Sequence, residues 1–410
     1  MKRDLGGIIA TTDVHSQLGD AVPLLAHLSA ERRRSLIVDC GDFFEGTGYY
    51  RLGRGHAEQA ILTSLYDVLA PGNHGWSHHF EPDLRELTVC ANAVDAVTGK
   101  PLFRRMHWAW IGGRTVAVTA VISPQAFDAI PTADRAGHQV TDPARALVEL
   151  LLEHHHQVDA WVLLSHSGFE GDLRLADQCP FLDVIFAGHC HSDRYGPESA
   201  GRTLVVKGAE LAAGYAVAES VGAGWAARAC RFPTAARLPA DLEPIGRQIQ
   251  ALQAELAVPL GRIAERWRGR MMADRHEVLS EVARRLHTGF GADAVVLNET
   301  ALRPVLLGQA LTLNELLAIE PFGNQLVHAV VPDAVVADLS GLTARLTERA
   351  GPLVLAPDPL PPDVRTVLTT GYLAETMLGG RAPSPVLPLG QAVARVLCDP
   401  LTVTEEGAPT

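Results

Sequence analysis

The chain has 410 residues, enough for two or three domains. Apolar residues make up 47% and charged residues 20%, a balance that excludes a disordered or collagen-like chain. The net charge of −12, from 47 acidic and 35 basic residues, weighs against a protein that holds nucleic acid or anionic membranes through its overall field.

No apolar run approaches the roughly 18 residues of a membrane span. Ile8-Ile9-Ala10 is too short for a signal-peptide core, so a cytoplasmic protein is expected. Six cysteines without a C-x-x-C pair make neither a disulfide framework nor a thiolate zinc site. The 17 histidines are the compositional oddity, and their positions decide what they mean.

In chain order, β-branched and apolar runs predict strands over 7–11, 36–39, 68–70, 115–121, 160–164 and 184–187. Helical spacing predicts helices over 20–32, 56–65 and 143–155. This alternation is that of an α/β layered fold. Prolines over 232–244 break the pattern and predict a linker. Beyond it, helices are expected over 243–256 and 278–287, and strands over 294–297, 326–331 and 367–370. The Pro-rich run 351–362 reads as a surface loop, and the last residues read as a disordered tail.

Polar residues gather just past the predicted strands of the first half, where α/β folds collect their ligands. They are Asp13-Val14-His15, Gly41-Asp42, Gly72-Asn73-His74, His166, and Gly188-His189-Cys190-His191. Carboxylate, amide and imidazole donors without thiolate suit Mn, Fe, Co, Ni or Zn. Two such ions about 3.5–4 Å apart can clamp a phosphate and activate a bridging water. Asp42 is the natural shared carboxylate. The three glycines of these blocks are expected to let the backbone turn so that the ligands converge.

Any one block alone reads as a turn, but the five in order resemble the signature of the calcineurin-like metallophosphoesterases. In the second half, Glu277, the run Gly291-Ala292-Asp293-Ala294, Asn298 to Arg303, and Pro321-Phe322-Gly323-Asn324 resemble the substrate-binding domain of the 5'-nucleotidase branch. The resemblance implies a metallophosphoesterase β-sandwich flanked by helices over 1–235, a linker over 236–244, a second α/β substrate-binding domain over 245–402, and a tail over 403–410.

It further implies two divalent metal ions. One would take Asp13, His15, Asp42 and His191, the other Asp42, Asn73, His166 and His189. His74 would stabilise the phosphate or protonate the leaving oxygen. Arg303 and Arg275 would grip the phosphate, Phe322 and Tyr372 would sandwich a nucleobase, and Asn324 would line the same site. The implied reaction is attack of metal-bound hydroxide on a nucleoside 5'-monophosphate or a modified, nucleotide-like phosphate ester. Two other readings stand beside it: a phosphodiesterase acting on cyclic nucleotides, and a regulatory protein that keeps the metals without turnover. The partner expected is a small phosphate ester, with neither nucleic acid nor membrane.

Two departures from the family pattern bear on this. Ser77 stands where the family has an acid that orients the catalytic histidine. His74 is therefore expected to be less readily protonated than usual, unless His78 or His79 compensates. After Tyr372, the family's ribose-reading acid is absent or displaced to Glu375. That loss points to a modified substrate.

Overall fold

The computed structural model describes residues 5–234, 237–270, 272–331, 339–377 and 384–399. The chain divides into two compact units, residues 1–252 and 253–410, with the division near the end of the helix Glu243–Leu256. The expected tail over 403–410 lies outside the described residues. Among the described residues, no helix is long and apolar enough to cross a membrane.

The first unit is a sandwich of two mixed sheets. One runs Gly224–Arg231, Gly214–Val221, Gly7–Thr11, Ser35–Asp39, Val68–Leu69, with the last three strands parallel. The other runs Glu198–Ala200, Thr203–Lys207, Val184–Ala187, Ala160–His166, Arg114–Ile122, Met106–Ile111, and its four middle strands are parallel. Ile8, Leu36 and Val38 pack against Val118, Val162 and Phe186 between the sheets. On the outer face of the second sheet, Leu147, Leu150 and Leu175 cover Trp161, Leu163 and Ile185. Strand Ala160–His166 is thus buried on both faces along all seven residues, which is why its first five, Ala160 to Leu164, read as an unbroken apolar run.

The helix Pro143–His154 shows why the flanking helices form. Asp142 caps it by accepting from the Arg145 amide at 2.8 Å, Pro143 occupies its first turn, and Ala146, Leu147 and Leu150 form the buried stripe. The antiparallel strands Gly214–Val221 and Gly224–Arg231 close the first sheet and precede the expected linker.

The second unit holds the five-stranded sheet Leu353–Ala356, Ala294–Asn298, Thr366–Thr370, Gln325–Val330, Ser384–Pro388. A three-stranded sheet, Ala310–Thr312, Pro259–Ile263, Cys398–Asp399, accompanies it. The run 351–362 expected as a loop contains the strand Leu353–Ala356, which pairs antiparallel with Ala294–Asn298. Pro352 and Pro357 bracket four apolar residues rather than interrupting them, and prolines at strand ends are compatible with pairing. The core gathers on Trp267, whose Nε1 donates to the Val396 carbonyl at 3.0 Å, and on the helix Arg275–Phe290, capped by Asp274.

Candidate metal centre

Five strands of the first unit deliver the expected ligands to one edge of the sandwich. Asp13 and His15 follow Gly7–Thr11, Asp42 follows Ser35–Asp39, and Asn73 and His74 follow Val68–Leu69. His166 ends its own strand, and His189 and His191 follow Val184–Ala187. The loops are folded tightly. Of nine non-glycine residues with positive φ among the described residues, Asp13, His15, Ser16, Asp42, Glu45 and His189 sit here, at φ of 49 to 74°. Left-handed backbone at such residues costs about 1–3 kcal/mol each and persists only where surroundings enforce it.

Backbone donors enforce it. The His189 amide donates to both carboxylate oxygens of Asp13 at 3.1 Å, and the His74 amide donates to Oδ1 of Asp42 at 2.8 Å. The Asp13 amide donates to the Gly41 carbonyl at 3.0 Å, and the His15 amide to the Asp42 carbonyl at 2.9 Å. Of the three glycines expected to turn the chain, Gly41 does so, at φ +98°. Gly72 and Gly188 are not left-handed; they are needed for close approach. A Cβ on Gly72 would lie 2.0 Å from Oδ1 of Asp42, and one on Gly188 would lie 2.5 Å from Oγ1 of Thr12.

The result is two overlapping donor clusters. Asp13, His15 and His191 bring one ligand atom each to within 4.8 Å of one another, and so do Asp42, His166 and His189. Asp42 also groups with His15 and His74. Its Oδ2 lies 3.3 Å from Nε2 of His166 and 3.8 Å from Nε2 of His15, between the two sets. Asn73 joins the second through Oδ1, 3.1 Å from Nε2 of His166. Nδ1 of His166 is taken by the Cys40 carbonyl at 2.8 Å, which leaves Nε2 facing the cluster.

This donor set fits a pair of divalent cations. Nε2 of His15 is buried and has no hydrogen-bond partner among the described residues, an orphan a cation would satisfy. Burial pushes His15 and His189 down to about 4, so both are neutral donors at pH 7. Burial would raise Asp42, yet His166 beside it holds the carboxyl well below the usual carboxylate range, so it is ionised.

His74 departs from the sequence expectation. Its Nδ1 lies 2.8 Å from Oε2 of Glu45, whose Oε1 accepts from the Gly75 amide at 2.9 Å. Burial would lower His74, but the Glu45 and Asp42 carboxylates outweigh it and hold the imidazole above its ordinary value. The expectation of a less basic His74 is therefore corrected: an acid is present, from a different loop. Ser77 is exposed in the 3-10 turn Trp76–Phe80. His78 binds Glu81 at 2.6 Å and Tyr50 at 2.9 Å, and His79 binds Thr88 at 3.0 Å, so neither compensates. The contact is tertiary, and the one signal for it lies beside Asp42 rather than His74: Glu45 stands three residues past Asp42 and just before Gly46, another left-handed position.

In the second unit, Arg303, Phe322, Asn324 and Tyr372 line one cavity of about 400 Å³. The Arg303 guanidinium lies 5.3 Å over the Phe322 ring, and Phe322 and Tyr372 are about half exposed, at 54% and 48%. Asn324 is anchored by Glu320, which accepts from both its backbone and side-chain nitrogens at 3.0 Å. Arg275 is not brought to this cavity; its Nη1 points to the Leu302 carbonyl, 3.5 Å away, from the first turn of its helix. Glu375 is exposed and does not line the cavity either. Asn298 and Thr300, from the run 298–303 that carries the resemblance, line it too, as does Arg349, which was not singled out.

Residues 7–193 match the family model of the calcineurin-like phosphoesterases. Over 195 residues the chain is 30% identical to a probable 5'-nucleotidase of Treponema pallidum, a stretch covering 43% of this chain and 31% of that protein. Over 198 residues it is 26% identical to an apyrase of Tabanus yao, covering 45% and 35%. The matched stretch is about a third of the length of these curated relatives. The fold is similar to that of a 5'-nucleotidase precursor from Thermus thermophilus, at TM-score 0.64 and 18% identity over 95% of this chain and 96% of that one. It is equally similar to the sulfate thiohydrolase SoxB of the same organism, at 0.64 and 20% over 92% and 79%.

Two mixed sheets with paired carboxylate and imidazole clusters at one edge define a dinuclear metallophosphoesterase fold. Residues 7–193 form a calcineurin-like phosphoesterase domain. Its two-unit architecture is that of the 5'-nucleotidase fold.

Proposed function

We propose that this protein is a phosphomonoesterase that hydrolyses a nucleoside 5'-monophosphate or a modified, nucleotide-like phosphate ester. The observation that carries the reading is Asp42 set between two donor clusters, with His74 beside it and held by Glu45. Asp13, His15, Asp42 and His191 would hold one divalent ion, and Asp42, Asn73, His166 and His189 the other. The pair would supply positive charge to the phosphate oxygens and an activated water.

The chain's own residues do the rest. Glu45 occupies Nδ1 of His74, which leaves Nε2 for the substrate. As the ester P–O bond breaks and water delivers oxygen to phosphorus, Nε2 gives its proton to the leaving alcohol. In the second unit, Phe322 and Tyr372 offer faces to a flat ring, and Arg303 offers a guanidinium to an anion. A stacking contact of this kind accepts many bases, which agrees with a substrate that is not a plain ribonucleotide.

The test is phosphate release by the Mn-loaded full chain across nucleoside 5'-monophosphates, 3'-monophosphates, cyclic nucleotides, sugar phosphates and an aryl phosphate, with His74→Ala as control. Turnover of 5'-nucleotide-like monoesters that collapses in the control is expected. Turnover of cyclic nucleotides alone would replace the monoesterase by a phosphodiesterase. Two metals bound with no release from any member would overturn the enzymatic reading.

A further inference from the structure

Beside the proposed metal centre lies a charged pair that the hydrolysis itself does not use. Lys207, at the end of the strand Thr203–Lys207, is fully buried, and its ammonium donates to three acceptors. They are the carbonyls of Cys190 at 2.6 Å and Ser192 at 2.8 Å, and Oε1 of Glu210 at 2.8 Å. The two carbonyls flank His191, so the buried cation ties down the backbone on both sides of that residue. The other oxygen of Glu210, Oε2, meets Nδ1 of His191. Glu210 in turn sits in a tight turn followed by Leu211 and Ala212, both left-handed at φ 55 and 58°. For leucine this is an outlier that needs enforcement. It is enforced from the same cluster: the Leu211 amide donates to the Asp13 carbonyl at 2.9 Å. One short segment, 207–211, thus touches the backbone of Asp13, the backbone on either side of His191, and the His191 ring.

We propose that Lys207 and Glu210 form a positioning pair that fixes the tautomer and direction of His191 and thereby sets how tightly the ion shared with Asp13 and His15 is held. This rests on the ligand assignment under the proposed function. The physical grounds are general. A carboxylate on the far nitrogen of a ligating imidazole directs the free nitrogen at the metal and strengthens its donation. His191 needs such a device, because its side chain is 55% exposed while that of His166, fixed by a backbone carbonyl, is 0% exposed. Lys207 supplies the charge that lets a carboxylate stand there, since an unpaired ion at a site this buried is costly. The pair differs from the Glu45–His74 contact in what it controls: metal retention rather than proton transfer.

The experiment is Mn²⁺ titration of the full chain, followed by electron paramagnetic resonance and by calorimetry, for the wild type, Glu210→Gln and Lys207→Met. The wild type is expected to take two ions and to show an exchange-coupled pair. Glu210→Gln, nearly isosteric, is expected to weaken one of the two sites about 10- to 100-fold. At the Mn²⁺ level that saturates the wild type, the coupled signal should give way to a six-line mononuclear one, while the other site keeps its wild-type affinity, which a general loss of stability would not spare. Lys207→Met is expected to weaken the same site at least as much, and if it fails to fold, Glu210→Gln alone decides. Two sites of wild-type affinity and an intact coupled signal in Glu210→Gln would overturn the pair's role. A wild type that binds no second ion would instead overturn the ligand assignment beneath it.

Discussion

Oε2 of Glu45 and Nδ1 of His74 meet at 2.8 Å across 29 residues of sequence, and Oε1 of the same carboxylate accepts from the Gly75 amide. The acid that orients the imidazole comes from the loop after Asp42 rather than from the turn after His74. Its backbone is left-handed at φ 66°, which aims the side chain back over the site.

Removing that acid should act on turnover more than on binding. His74→Ala is expected to lower kcat about 10²–10⁴-fold, the usual range for a positioned acid or base. Glu45→Gln should lower kcat by about tenfold or more with KM within a factor of about two, because the ring remains but loses its fixed orientation. Steady-state kinetics on the best substrate of the panel check this; equal activity of Glu45→Gln and wild type would remove Glu45 from the mechanism.

The shared carboxylate predicts a metal count. Asp42→Asn keeps the volume and loses the charge between the two clusters, so metal analysis after saturation and desalting should fall from about two ions per chain to one or fewer. Retention of both ions would mean that Asp42 does not join the sites.

Gly72→Ala tests close approach. The added Cβ would meet Oδ1 of Asp42 at 2.0 Å and the Asp42 amide nitrogen at 2.5 Å, and backbone cannot give way cheaply. Weakened metal binding together with a lower unfolding midpoint is expected. Unchanged values of both in calorimetry would show that the loops can spread.

The second unit has its own pH signature. Glu281 accepts from Arg284 at 2.7 and 2.9 Å and from Arg285 at 2.7 Å, and the Arg284 contact leads in holding it down to about 2, against burial and with Arg285 assisting. Its folded value lies below the ordinary 4.5, so the unfolded chain binds more protons between them. The stabilisation is present above about pH 4.5 and is lost as pH falls toward 2. Unfolding curves of wild type and Glu281→Gln should differ at pH 7 and converge at the acid end; a difference independent of pH would show that the charge is not the cause.

Phe322→Ala is expected to raise KM for nucleotide-like substrates with little effect on an aryl phosphate. Stacking on an aromatic face is worth about 1–3 kcal/mol per base, or roughly 5- to 150-fold. A uniform loss across all substrates would assign Phe322 to the fold instead.

The metal-ligand blocks could be read from sequence because each is local: a buried apolar strand followed by Asp-x-His or Gly-Asn-His places its donors by chain direction alone. The parallel strands expected over 160–164 and 184–187 were legible for the same reason, being apolar throughout. What escaped was tertiary. Nothing near His74 announces Glu45, and nothing near His191 announces the buried Lys207. The strand Leu353–Ala356 was hidden by its flanking prolines. Arg275 and Arg303 looked alike as arginines near a motif, yet only Arg303 lines the cavity, because Arg275 opens a helix and turns toward the Leu302 carbonyl.

The left-handed ligand loops carry one more consequence. The amides of His74 and His189 are bonded to the site carboxylates themselves, not to a strand partner. Their protection from deuterium therefore depends on Asp13 and Asp42 staying in place, whereas amides of the strand Ala160–His166 depend on the sheet. Isotope exchange along this chain should accordingly separate into two clocks, a fast one at the strand ends that cation binding slows and a slow one in the sandwich that it leaves alone.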